Sequence, residues 1–177
     1  MLVLETLKGA VAKWSNAAVC KTVIRGFKSH PCLTMKDKLY FVGLKAFIVN
    51  EKQELLILQG SSKMKPEGLW GLPGGRIMES EEQVPLTAIL AREINEECGS
   101  IIVDIGQVCA HWRLHREDKA IFLVGYTCTY KSGVVELSHE HATYKWVTSD
   151  QVSNLPFVDG YKEVIISFFK NRKDVLE

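Results

Sequence analysis

The chain has 177 residues and a net charge of +1, and 46% of its residues are hydrophobic and 24% charged. This composition predicts one domain with a real core, and the near-neutral charge gives no strong sign of nucleic-acid or anionic-membrane binding. Its five cysteines include no Cys-x-x-Cys pair, which argues against a disulfide framework or a zinc site and favours a cytoplasmic location. No apolar run approaches the roughly 18 residues that a membrane span needs.

Residues 1–34 differ in character from the rest, because they are basic and contain no acidic residue after Glu5. The stretch from Gly26 to Pro31 reads Gly-Phe-Lys-Ser-His-Pro, which is what the T-arm of a transfer-RNA gene encodes when it is translated. We therefore predict that Met35 is the true start and that residues 1–34 are a non-native or disordered extension. A genuine N-terminal arm and an organelle-targeting helix are the alternatives. Recovery of a peptide from residues 1–30 in the native host would exclude the misplaced start.

Residues 35–177 are predicted to form one domain that begins with a hairpin. Residues 41–49 and 54–59 are rich in β-forming residues and read as two strands joined by a polar turn. A polar loop follows over residues 60–68, and the Gly-rich segment 70–77 is expected to be extended.

A central helix is predicted over residues 85–98, with Pro85 in its first turn and Gly99 as its stop. The spacing of Glu93, Glu96 and Glu97 at i, i+3 and i+4 places three carboxylates on one helix face. Like charges at this spacing destabilise a helix by roughly 0.2–0.5 kcal/mol per pair. A bound divalent cation would offset that repulsion, and Mg²⁺ prefers oxygen ligands.

The remaining elements complete a mixed α/β (α+β) pattern. Residues 101–108 and 120–130 read as strands, with residues 111–119 as a charged connection between them. Residues 144–147 read as a short strand, and apolar residues from Tyr161 to Phe169 follow helical spacing in a closing helix. This order of strands and helices suits a sheet that is packed between helices.

The segment Trp70-Gly71-Leu72-Pro73-Gly74-Gly75, followed by Arg92-Glu93-Ile94-Asn95-Glu96-Glu97-Cys98-Gly99, resembles the signature of the Nudix hydrolases. Gly75 and Glu81 have the spacing of the family pattern, but ten residues instead of seven separate Glu81 from Arg92. Ser100 also stands where an aliphatic residue is expected. The longer loop leaves the role of Glu81 open, and Glu79 or Glu82 fits its place equally well. The resemblance implies a Nudix-like α/β/α sandwich with a mixed central sheet.

The resemblance also implies a hydrolase that acts on phosphoric anhydride bonds with Mg²⁺ or Mn²⁺. Its substrate would be a nucleoside diphosphate linked to another group, such as a nucleoside triphosphate or ADP-ribose. The implied metal ligands are the Gly75 carbonyl and the carboxylates of Glu93, Glu96 and Glu97, and Arg92 would hold the glutamates in position. The alternatives are a solvated helix face for the glutamates, and a non-catalytic nucleotide-sensing module or an isomerase of isoprenoid diphosphates for the function. The resemblance is also compatible with a homodimer, because dimers are common among relatives.

Glu140 precedes a Trp-Val strand, where some Nudix families carry a further metal ligand or a general base. A surface acid is an equal alternative. His139 and His141 flank Glu140, but no third zinc ligand is evident, so both are expected to be exposed loop residues.

Three residues are candidates for substrate binding. Trp70 has the aromatic ring to stack on a nucleobase, although packing against the sheet is the favoured alternative. Arg76 follows the glycine pair, and Arg113 lies in the predicted charged connection, where a solvated loop is at least as consistent with the sequence.

Overall fold

A computed structural model of the protein describes residues 39–62, 67–116 and 119–176. The predicted extension over residues 1–34 and the predicted start at Met35 lie outside these residues. Within the described ranges, no helix combines the length and the apolar character that crossing a membrane would require.

In the part of the chain that the structure describes, a mixed sheet of six strands forms the centre of the fold. The strands are β1 (Phe41–Val49), β2 (Leu55–Gly60), β3 (Trp70–Gly71), β4 (Ile102–Arg116), β5 (Lys119–Ser132) and β6 (His141–Val147). Their order is β3-β2-β1-β5-β4, and β6 also pairs with β2. Strand β1 runs parallel to β5 and antiparallel to β2, as the prediction of a mixed sheet requires.

Among the described residues, three α-helices accompany the sheet: α1 (Leu86–Cys98), α2 (Ser149–Val152) and α3 (Tyr161–Leu176). Helix α1 begins directly after Pro85, and it ends where the Gly99 N–H donates to the carbonyl of Asn95 at 3.0 Å. The predicted limits of this helix are therefore correct to within one residue. Helix α2 is a single turn and was not predicted from the sequence.

Two apolar cores lie on the two faces of the sheet, because side chains alternate along a strand. In β1, Phe47 and Val49 belong to one core, and Leu44, Ala46 and Ile48 belong to the other. The first core includes apolar residues of α3, and the second includes those of α1. The predicted α/β/α sandwich is thus confirmed.

The predicted charged connection over residues 111–119 is wrong, since β4 continues to Arg116 and β5 begins at Lys119 in one long hairpin. Trp112 and Leu114 are buried, whereas the residues between and around them are exposed: His111, Arg113 and His115. The charges therefore belong to the outer face of an amphipathic strand. The β4–β5 register shifts between Ile105 and Val108 and again between Val108 and Ala110, and β4 pairs with β5 alone among the described strands.

Candidate active site

The Gly74–Gly75 pair lets the loop after β3 lie directly against β1 and α1. The Leu44 N–H donates to the Gly75 carbonyl at 2.8 Å. Gly74 has φ +120°, which favours glycine, and a Cβ at this position would meet the Leu44 carbonyl oxygen. A Cβ on Gly75 would overlap the Glu93 carboxylate. The two glycines therefore bring a backbone carbonyl and a helix carboxylate to the same place.

Arg92 is the centre of a group of carboxylates that we call the Arg92 cluster: Glu81, Arg92, Glu93 and Glu96. Its Nε donates to Glu81 Oε1 at 2.9 Å, its Nη2 to Glu93 Oε1 at 2.9 Å, and its Nη1 to Glu96 Oε2 at 2.9 Å. These charge-assisted hydrogen bonds compensate the repulsion between the glutamates. They also raise the pKa of Arg92, with the Glu96 hydrogen bond as the largest contribution.

The contact with Arg92 distinguishes Glu81 from its acidic neighbours. A 3₁₀ turn over Glu79–Glu81 follows the Gly-rich segment, and Glu81 Oε2 accepts the Met78 N–H at 2.8 Å. That hydrogen bond, together with Arg92, lowers the pKa of the Glu81 carboxyl. The three additional residues before α1 thus lengthen the loop without removing Glu81 from Arg92.

A second group, the Glu97 cluster, lies deeper in the fold and consists of Lys45, Glu97, Glu140 and His141. Glu97 is buried, and its Oε2 accepts the Gly74 N–H at 2.7 Å. Its Oε1 lies 3.3 Å from Nε2 of His141. One ligand atom each from Glu97, Glu140 and His141 lie within 4.8 Å of one another, a spacing that could hold a metal ion.

Lys45 was not among the predicted site residues, and it lies in the middle of the apolar strand β1. Its ammonium donates to the carbonyls of Leu72 (3.1 Å) and Gly74. Burial alone would lower the pKa of Lys45, but Tyr161 and the two carboxylates Glu97 and Glu93 outweigh it, so the pKa is raised. A single lysine within a buried strand was the available sequence signal, because a charged group there needs a partner.

Two carboxyls on α1 have pKa values shifted in opposite directions. Burial raises the pKa of Glu93, and Arg92 only partly opposes this. Burial also acts to raise the pKa of Glu97, but His141, Lys45 and the Gly74 N–H together hold it below its usual value. Of these two carboxyls, Glu97 is therefore the one whose ionised form the surroundings favour.

Both clusters contribute to a cavity of about 530 Å³. Its polar lining includes Lys45, Glu93, Glu97, Glu140 and His141 beside the Gly74–Gly75 loop, and its apolar lining includes Leu114, Ile121, Leu123 and Val158. The side chain of Glu96 is 56% exposed, and this residue is not among the described residues that line the cavity. The volume is within the range of small-molecule sites.

The structure separates the three candidate substrate-binding residues. Trp70 is only 3% exposed in the core beside α3, a position that fits packing and leaves little ring surface for a nucleobase. Arg76 is exposed, lies 5.6 Å from the Phe41 ring, and lines the large cavity. Arg113 is exposed on β4 and lines a second cavity of about 260 Å³, so the fold does not bring it to the carboxylates.

The expectation of an exposed loop histidine is wrong for His141. It is the first residue of β6, its side chain is only 12% exposed, and its pairing with Gly60 places it next to Glu97 of α1. His139 is exposed, as expected. The third potential ligand was not evident in the sequence, because it comes from a distant helix.

The chain matches the family model of the NUDIX domain over residues 39–168. The chain therefore belongs to the Nudix family, and the predicted identification as a Nudix-type hydrolase is confirmed at the level of the family. The sequence and structural relatives below agree with this assignment.

A MutT-like protein of Streptomyces ambofaciens is 29% identical over 127 residues, which are 72% of this chain and 76% of that protein. Nudix hydrolase 2 of Arabidopsis thaliana is 25% identical over 125 residues, which are 68% of this chain but 44% of that protein, so the chain spans less than half the length of this relative. The crystal structure of a MutT protein from Methanosarcina mazei Go1 has a TM-score of 0.68 and 28% identity, and the match covers 77% of this chain and 98% of the other.

Proposed function

We propose that this chain is a divalent-metal-dependent pyrophosphohydrolase that cleaves the diphosphate of a nucleoside diphosphate linked to another group. The observation that carries the proposal is one cavity lined by the carboxylates of Glu93, Glu97 and Glu140 beside the Gly74–Gly75 loop. Membership of the Nudix family supports it. The relatives named MutT-like protein and Nudix hydrolase 2 are consistent with such a reaction.

The oxygen atoms in the cavity fit a hard divalent cation, Mg²⁺ or Mn²⁺. Glu93 and Glu97 supply carboxylates, and the Gly75 carbonyl accepts one hydrogen bond from Leu44, so a second lone pair remains for a metal. Glu96 is more exposed and would act through water. When bound, the metal neutralises phosphate charge and lowers the pKa of a bound water.

The chain's own residues then have distinct roles. Arg92 positions Glu93 and Glu96 through its hydrogen bonds. Lys45 helps to keep Glu97 ionised, as the lowered pKa of that carboxyl indicates. Glu140 lies in the same cavity and serves as a further ligand or as the general base that takes a proton from the attacking water at a carboxylate oxygen.

The rest of the cavity suits the part of the substrate that is not phosphate. Apolar side chains from β4, β5 and the segment before α3 provide a surface for a nucleobase or another planar group, with Leu114, Leu123 and Val158 among them. Arg76 lines the same cavity with an exposed guanidinium, which is suited to a phosphate oxygen.

A panel of nucleotides tests the proposal: nucleoside triphosphates, ADP-ribose, NADH, dinucleoside polyphosphates and RNA 5′ ends. Product formation is followed as release of inorganic phosphate. For the triphosphates, a pyrophosphatase is added to cleave the pyrophosphate product. For the other substrates, a phosphatase that acts only on monoesters is added to cleave the monophosphate product. We expect turnover of at least one member, dependent on Mg²⁺ or Mn²⁺ and abolished by a chelator. Binding without turnover across the whole panel would instead support the nucleotide-sensing alternative.

A further inference from the structure

His141 has a buried ring without normal hydrogen bonds. Neither Nδ1 nor Nε2 has a hydrogen-bond partner among the described residues, and both atoms are shielded from solvent. Nε2 is 3.3 Å from Glu97 Oε1, which is within ion-pair distance if the ring is protonated, but the contact does not have hydrogen-bond geometry. Burial of a polar group without a hydrogen bond is unfavourable, so the position of this ring needs a compensating partner.

The backbone around His141 is fixed by contacts with the end of β2. The Ser61 N–H donates to the Glu140 carbonyl at 2.9 Å, and the Ser61 hydroxyl donates to the His139 carbonyl at 3.1 Å. The His141 N–H donates to the Ser138 carbonyl at 3.2 Å. The imidazole is therefore held beside the carboxylates by the backbone, without a hydrogen bond of its own.

The ligand atoms of Glu97, Glu140 and His141 lie close enough together to converge on one metal ion. They lie within 4.8 Å of one another, and ligands on opposite sides of a small divalent ion stand roughly 4 Å apart. The three side chains would therefore move closer together when they share one ion. A metal ion bound there would give the orphaned imidazole a partner.

We propose that His141 is a nitrogen ligand of the divalent metal, alongside oxygen ligands from Glu97 and Glu140. This inference rests on the proposed function and specifies the metal preference of that site. Mg²⁺ prefers an all-oxygen shell, whereas imidazole favours first-row transition ions. His141 therefore biases the site toward Mn²⁺ or Co²⁺ over Mg²⁺.

Pulsed electron paramagnetic resonance of the full chain loaded with Mn²⁺ tests the ligand directly. We expect coupling of the manganese to a nitrogen nucleus, its loss in His141→Gln, and its retention in His139→Gln. The second variant is a matched control, because His139 is an exposed neighbour two residues away. Circular dichroism of the metal-free variants checks their folding.

The outcomes separate this inference from the proposed function. Bound Mn²⁺ with oxygen ligands alone, or a nitrogen signal that survives in His141→Gln, overturns the role of His141 and leaves the carboxylate site in place. A chain that binds no Mn²⁺ overturns both the role of His141 and the metal dependence. Nucleotide turnover is measured on the same samples.

Metal affinities give a second readout that does not depend on activity. We expect His141→Gln to weaken Mn²⁺ binding by about tenfold or more and to change Mg²⁺ binding little. Mutation of residues that hold metal ligands in place lowers metal affinity by this amount or more. His141→Asp replaces the nitrogen ligand with an oxygen ligand. This variant should bind Mn²⁺ without the nitrogen coupling, and its affinity for Mg²⁺ relative to Mn²⁺ should rise. An unchanged ratio of the two affinities in both variants contradicts the proposed preference.

Discussion

The Arg92 cluster and the Glu97 cluster both include carboxylates of helix α1, but their charged groups have different partners. In the Arg92 cluster, one guanidinium pairs with three carboxylates at a partly exposed site. In the Glu97 cluster, a buried carboxylate has a backbone N–H and a lysine for support, and a histidine beside it lacks hydrogen bonds. The charges of the Arg92 cluster are therefore paired with one another, whereas the Glu97 cluster retains atoms that a ligand can use.

Glu93 accepts a hydrogen bond from Arg92 in the Arg92 cluster, and it also lines the large cavity. Its pKa is raised while that of Glu97 is lowered, although the two residues are one helical turn apart. The difference comes from their partners, since burial acts on both in the same direction. The partners of each carboxyl therefore decide the direction of its pKa shift.

The largest expected effect is on turnover. Glu97→Gln and Glu96→Gln should each lower kcat by about 10²-fold or more, the scale of one lost charge-stabilising contact. Glu82→Gln, which removes an exposed acid near the same helix, should leave kcat unchanged. Steady-state kinetics on the preferred substrate measures all three. Near-normal turnover in both of the first two variants would refute the assigned site.

The second effect is on stability and separates the two clusters. Glu97→Ala removes a buried acceptor of the Gly74 N–H and a counter-charge of Lys45, so it should cost about 1–3 kcal/mol in the free energy of unfolding. Glu96→Ala removes only an exposed ion pair and should cost less than about 1 kcal/mol. Urea unfolding of the metal-free chain gives both values. Equal losses would show that burial does not distinguish the clusters.

The pH dependence of these stabilities should differ in sign. Glu97 has a lowered pKa, so its ionised form stabilises the fold above the unfolded value of 4.5, and the loss caused by Glu97→Gln should shrink as the pH falls below that value. Glu93 has a raised pKa, so its ionised form is disfavoured, and Glu93→Gln should stabilise the chain near neutral pH.

For Glu93→Gln, the gain should likewise disappear as the pH falls through the raised pKa toward 4.5 and below. Unfolding at a series of pH values with a chelator present measures both curves. A gain from Glu97→Gln at neutral pH, or a loss from Glu93→Gln, would reverse the assignment of the two carboxyls.

The smallest effect is expected outside both clusters. Arg113→Ala should change kcat/KM by no more than about a factor of two, because an exposed residue away from the site contributes within about 0.5 kcal/mol. Arg76 lines the large cavity, so Arg76→Ala should raise KM by more than a factor of about two. A tenfold loss at Arg113 would extend the site beyond the cavity that the two clusters share.

The sequence was sufficient for features that depend on local pattern. The limits of α1 follow from Pro85 and Gly99, and the position of its carboxylates follows from helical spacing. The prediction of a charged connection was wrong because the apolar residues Trp112 and Leu114 alternate with polar ones. This alternation indicates a strand as readily as a loop.

The residues that were missed depend on contacts between distant segments. Lys45 meets Glu97 only because β1 packs against α1, and His141 meets it only because β6 pairs with β2 in a particular register. The role of Glu81 could not be decided from the sequence for a similar reason, because the path of the longer loop decides which acidic residue reaches Arg92. The metal dependence, the substrate and the predicted homodimer stay predictions.

The shifted register of β4 has a consequence for the behaviour of the chain at high concentration. An outer strand presents a row of unpaired backbone groups to which a strand of another molecule can add. The irregularities between Ile105 and Ala110 interrupt that row, and exposed cationic and imidazole side chains follow it toward Arg116. Continuous pairing of a foreign strand with this edge of the sheet is therefore disfavoured.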